Sequence, residues 1–337
     1  MATLTERYCS VAGSGAHDGS SAANAWTMAE ATANVVAGDR VNCLAGTYIA
    51  EDSGQNCVMD IDVAGTILNQ IEWRGYTTTI GDFVPGTAPP AIIDAGVNAL
   101  LHPIRGNSIS GTIYNRFVGL DLINGSTVGA EFTTVGDNIG FTGCRFKDNG
   151  TWGVRADNNL SFLLCEFTGN GTGSIDADND CSVVACKLHG EGTGPVINLA
   201  SDANIINSLF YNNGGIVNVI GFSNFSVYGN TFDGDNVAGA IAVQISGSVN
   251  VFNTLVNNLF YDLDTAINFA TSTAEAFLTR GYNYFSSCNT NYDNLPDALT
   301  DVDDGTLDPF TDSAARDYTL ASGSNAIGAG VDAGNFV

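Results

Sequence analysis

Basic residues are almost missing from this 337-residue chain. Eleven Lys and Arg, only two of them lysines (Lys147 and Lys187), stand against 36 Asp and Glu, for a net charge of −25. Without a basic stripe there is nothing for a phosphate backbone to meet, so no nucleic acid is expected as a partner. An anionic membrane surface would repel the chain, and no apolar run approaches the roughly 20 residues that cross a bilayer. Residues 1–10 hold one arginine and no apolar core, which does not read as a secretory signal. Histidine is scarce (His17, His102, His189) and the eight cysteines form no Cys-x-x-Cys pair, so no zinc site is expected. No Gly-x-Ser-x-Gly elbow occurs, which disfavours a serine hydrolase. With only 14% charged residues, the polar surface falls to Asn, Ser, Thr and Gly. Forty glycines and thirty-five asparagines imply many tight turns, while 44% hydrophobic residues supply a large core.

The strongest positive signal is a repeat. The frame Asn138-Ile-Gly-Phe141-Thr-Gly-Cys144-Arg-Phe146 returns from Asn159 to Phe167, from Asp180 to Leu188, from Asp202 to Phe210 and from Asn224 to Phe232. Looser copies end at Phe260 and Phe285, and an earlier one ends at Leu122. The closing apolar residues are spaced 24, 21, 21, 22, 22, 28 and 25 apart. Within each copy apolar residues alternate, the period of a strand. Short strands in a unit of this size cannot bury an apolar face alone, but coils stacked at about 4.8 Å can. The pattern predicts an all-β parallel β-helix of roughly ten coils. Thr27-Met-Ala-Glu30 reads as a capping box opening an N-terminal capping helix, with Trp26, Ala29, Ala33 and Val36 on its apolar face. The expected organisation is one continuous domain: an N-terminal segment and helix over 1–38, the β-helix over 39–288, and a closing coil and cap over 289–337.

Gly38-Asp39-Arg40-Val41 with Ala45-Gly46-Thr47-Tyr48, and Asp317-Tyr-Thr-Leu320 with Ser324-Asn-Ala-Ile327-Gly, resemble the entry and closing coils of the right-handed parallel β-helix, or pectate-lyase-like, family. The resemblance covers nearly the whole chain. It is of the type found in phage virion proteins, such as decoration (cement) proteins and spikes, and in secreted bacterial proteins. It implies the handedness and, through the phage members, a homotrimer.

The aligned turns stack Asn138, Asn159, Asp180, Asp202 and Asn224 into a polar ladder, whose plain role is bonding turn backbone on successive coils. Cys144, Cys165 and Cys186 stack likewise, followed by Ser208 and Asn230, as small inward residues. The catalytic candidates are Asp157 and Asp178, equivalent positions 21 residues apart, with Arg155 aligned to Asp176. Carboxylates one coil apart would be about 5 Å from each other, near the spacing of a retaining glycosidase pair. Solvated turn aspartates are the competing explanation, and no Asn-Thr-Asp followed by Asp-Asp is present. Asp176, Asp178 and Asp180 have the opening spacing of a calcium loop, but Cys181 replaces its glycine and Lys187 its glutamate, so this is not an EF-hand; no cofactor is expected, with loosely bound calcium as the alternative.

Three functions fit. The first is a non-enzymatic virion surface protein, a phage capsid decoration protein or short spike, trimeric on a major capsid protein or another virion protein. The second is an extracellular polysaccharide lyase or glycoside hydrolase. The third is a carbohydrate-binding surface protein, for which Tyr211 and Tyr261, each following an inward Phe, would point outward toward a glycan. The first is the expectation taken forward.

Overall fold

A computed structural model describes residues 3–50, 54–106, 113–133, 137–235, 237–246, 253–269, 278–296 and 298–330. Contacts divide the chain into two units, Met1–Lys187 and Leu188–Val337. Each is a parallel β-solenoid, and its handedness is right, as parallel crossovers require.

Each coil of the first unit has three faces. Face one is built from Cys57–Asp60, His102–Arg105, Ala130–Phe132 and the first halves of Trp152–Leu163 and Gly173–Val184, all in parallel register. Face two stacks Thr5–Cys9, Asp39–Leu44, Ile71–Tyr76, Ile113–Val118, Asp137–Thr142 and the second halves of the two long strands. Face three carries the short strands Gly46–Tyr48, Ala91–Asp94, Leu120–Ile123, Arg145–Lys147 and Glu166–Thr168. The second unit repeats the scheme, with five short strands from Leu209–Tyr211 to Val302–Asp303. One more, Lys187–His189, falls at the boundary, and the coil count differs slightly from the roughly ten expected.

Single left-handed residues separate the faces. Asn159, Asp180, Asp202 and Asn224 have φ of 53°, 53°, 54° and 50°. Asn and Asp tolerate this region better than other side chains, which is why the frame opens on them. Asn138 lies in strand Asp137–Thr142, opposite Tyr114. Another, buried set of side-chain amides also holds backbone. Asn149 and Asn170 donate to Leu122 O and Phe146 O at 3.3 and 3.2 Å. In the second unit Asn230, Asn258 and Asn283 donate to Ile205 O, Val227 O and Leu255 O at 2.8, 2.8 and 3.0 Å.

Asn230, Asn258 and Asn283 occupy the column that Cys144, Cys165 and Cys186 occupy in the first unit, two residues before the inward Phe or Leu. All eight cysteines are free thiols, and seven are buried. Inside the coils Phe141 stacks on Phe162 at 5.4 Å, Phe146 on Phe167 at 4.6 Å, and Phe260 on Phe232 and Phe285 at 5.3 and 5.1 Å.

The capping box forms as expected and starts a helix over Met28–Asn34. Its buried face is Met28, Ala31 and Thr32, however, and Ala33 and Val36 are exposed. Fixing the N-cap at Thr27 rotates Met28 and Ala31 inward, against strands Thr5–Cys9 and Cys57–Asp60. Asp317–Leu320 pairs antiparallel with Phe310–Asp312, making a hairpin.

Candidate functional site

Two rows of alternating charge cross the coils of the first unit. On face one the register places Asp60, Arg105, Glu131, Arg155 and Asp176 side by side. Arg155 Nε donates to Asp176 at 3.0 Å, and His102 Nε2 lies 3.2 Å from Glu131. Burial pushes the His102 imidazole below its ordinary pKa, against the pull of Glu131. Asp157 and Asp178 follow two residues along the same strands. Partial burial and the Asp178 charge both raise the Asp157 carboxyl above the usual range, as expected of carboxylates facing each other on adjacent coils. Arg155 belongs to Asp176 rather than to that pair. Asp176, Asp178 and Asp180 do not converge: the left-handed turn at Asp180 redirects the chain, and no group of three metal-ligating side chains forms among the described residues.

Face two carries the second row, Glu6, Arg40, Glu72 and Arg116, continued by Gly140, Ser161 and Ser182. The inward neighbours Val41, Trp73, Phe117, Phe141, Phe162 and Val183 are fully buried, so this row faces out. An open groove of about 700 Å³ runs over it, with Ile67, Gln70, Tyr114, Arg116, Asn138 and Ser161 among its lining, together with Thr142 and Asn159. Gly140 forms part of the floor: a Cβ there would sit 3.2 Å from Ser161 Oγ and 3.7 Å from Arg116 Cγ. Arg116 is exposed, and its Nη2 reaches Thr142 Oγ1 at 3.5 Å. Neighbouring strands thus present hydroxyls, amides, one guanidinium and the Asp180 carboxylate, with the Tyr114 ring and the outward aliphatic side chains of Leu163 and Val184 beside them. That is the mixture suited to a sugar ring, which offers hydroxyls at its edge and C–H groups on its faces.

The second unit holds a packed cluster where the hairpin docks. Tyr318 Oη donates to Asp233 at 2.8 Å, and Arg316 bridges Asp235 and Asp233 while lying 5.3 Å over the Tyr211 ring. Tyr211 stacks on His189 at 4.6 Å and meets Tyr318 at 5.4 Å, while Tyr261 meets Phe310 edge-on at 5.7 Å. The two tyrosines expected to face a glycan therefore anchor the hairpin. They do leave the core, as alternation requires, but another segment of the chain covers them.

Burial pushes the Asp233 carboxyl up to about 6 from 3.8. The folded state therefore holds this proton more tightly than the unfolded chain. Its contribution to stability is full below about pH 4 and is lost as pH rises through about 6. Asp233→Asn is expected to flatten that part of the stability profile, read from thermal melts across the window; an unchanged slope would show that Asp233 does not titrate there.

No protein-family model matches the sequence, nor does any curated protein. Among solved structures, pectate lyase Pel9A superposes with a TM-score of 0.62 at 16% identity, over 99% of this chain and 94% of its own. A mannuronic acid-specific polysaccharide family 6 lyase from human gut microbiota superposes at 0.50 and 12% identity, over 92% of this chain and 83% of its own. A family 6 polysaccharide lyase from Pseudopedobacter saltans does so at 0.50 and 16%, over 77% and 62%. The chain thus has the pectate-lyase-like, right-handed parallel β-helix fold. At these identities the likeness is one of fold.

Proposed function

We propose that this chain binds a polysaccharide along the groove of face two. The observation that carries the reading is the groove itself: about 700 Å³, open, and lined by Tyr114, Asn138, Thr142, Asn159 and Ser161 with the outward aliphatic side chains of Leu163 and Val184. Parallel strands repeat such a lining from coil to coil, a periodicity suited to a repeating polymer. The polysaccharide lyases that share the fold support the same class of ligand. The test is an oligosaccharide array combined with Ser161→Trp. An indole at this outward position fills the groove, so glycan binding should fall at least about tenfold while stability moves by no more than about 0.5 kcal/mol. Binding undiminished by Ser161→Trp would refute the groove. Cleavage is followed on the same ligands through the ultraviolet absorbance of unsaturated products.

The reading of a non-enzymatic virion surface protein, a decoration protein or short spike held as a homotrimer on a major capsid protein, has its own support. The Arg–carboxylate row of face one ties adjacent coils through their own charges, as at Arg155 and Asp176, which suits a rigid surface element. Light scattering tests it: a stable trimer favours the virion reading, and a monomer that does not bind capsids opposes it.

A further inference from the structure

We propose that the basin adjoining the groove is an anion subsite that takes a single acidic substituent, a carboxylate or a sulfate ester, on an otherwise neutral glycan; this rests on the groove reading. The chain has only eleven basic residues, yet Arg40, Arg74 and Arg116 line one basin of about 400 Å³. Its carboxylates are Glu6 and Glu72, so the basin is locally positive by one charge while the whole chain is at −25.

The guanidiniums are held in place before any ligand arrives. Glu72, only 5% exposed, accepts from Arg40 Nε at 2.8 Å and pairs with Arg74 Nη2 at 2.7 Å through the same oxygen, Oε1. Glu6 takes Arg40 Nη1 at 2.9 Å and is itself fixed by Asn42 Nδ2 at 2.7 Å. Each guanidinium has five N–H donors. The described contacts engage two on Arg40, one on Arg74 and one on Arg116. Donors remain for the oxygens of an oxyanion, which guanidinium forks match in geometry.

Continuity links basin to groove. Ile67, Gln70 and Arg116 line both, so a sugar chain lying in the groove would carry a substituent at one end into the basin. The charge balance limits the ligand: a chain at −25 repels a polymer charged on every residue, and one net positive charge offsets one anionic group.

The experiment titrates the whole chain with xylohexaose and glucohexaose in matched forms: neutral, with one terminal carboxylate, and with one sulfate ester. A charged form should bind about tenfold tighter than its neutral parent. That ratio should fall toward one in Arg74→Gln, which lies outside the groove, with the neutral affinity unchanged. Exposed Arg116→Gln serves as the second variant if Arg74→Gln fails to fold, and it too should lower the ratio. The preference should also shrink in high salt. The substituent that gains affinity identifies the acid. Equal binding of neutral and charged forms, or a preference that survives both substitutions, overturns the subsite and leaves the groove standing. If every form binds equally well to Ser161→Trp, the groove reading falls and the subsite with it.

Discussion

Asn258→Ala is expected to destabilise the protein by about 2–4 kcal/mol. Asn258 is 1% exposed and lies in the middle of a buried amide column. Its Oδ1 accepts from the backbone N and the Nδ2 of Asn230, at 3.0 and 3.1 Å, and its Nδ2 donates to Val227 O at 2.8 Å. Alanine leaves the Asn230 N–H and the Val227 carbonyl buried and without these partners. Each such group costs about 1–3 kcal/mol when stranded from water, far more than an average hydrogen bond contributes. Asn159→Gly is the contrast. Asn159 is exposed and left-handed, a conformation glycine adopts freely, so that change should stay within about 1 kcal/mol. Urea unfolding of the two variants separates them, and equal losses would mean that the buried column holds no more of the fold than the exposed turn does.

Phe162→Ala should cost about 3–5 kcal/mol. Phe162, 1% exposed, stacks on Phe141 at 5.4 Å and meets Phe167 and Phe146 edge-on at 5.4 and 6.1 Å. Alanine removes a ring that three others touch. The strands above and below, held in register by their hydrogen bonds, cannot close the void, so the cavity persists and its cost adds to the lost transfer energy. Phe162→Leu fills most of that volume and should cost well under half as much. Denaturant midpoints measure both. A loss under about 1 kcal/mol for the alanine variant would mean that this part of the core collapses freely.

The fold was legible because the coils repeat. Phe146, Phe167, Leu188, Phe210 and Phe232 recur at nearly constant spacing, and the inward alternation before each one can be read directly. Asn159, Asp180, Asp202 and Asn224 marked the left-handed turns for the same reason. The charged row of face two was hidden. Glu6, Arg40, Glu72 and Arg116 are 34, 32 and 44 residues apart because loops of unequal length intervene. Aligning Val41, Trp73, Phe117 and Phe141 would have exposed most of that row, since Arg40, Glu72 and Arg116 each immediately precede one of these inward residues and Gly140 precedes Phe141. The docking of Tyr211 and Tyr261 under the hairpin had no local signal. Alternation says which residues leave the core but not which distant segment covers them. The buried column was half visible: Cys144, Cys165 and Cys186 stack as read, but thiols give no hint that Asn230, Asn258 and Asn283 use the same position to bond backbone.

The most direct test of a glycan groove is a crystal structure of the protein with the tightest-binding hexasaccharide. The sugar is expected over Tyr114, Arg116 and Ser161, with any acidic substituent turned toward Arg74. A sugar lying instead across Arg105, Arg155, Asp157 and Asp178 would place the site on face one and contradict the account.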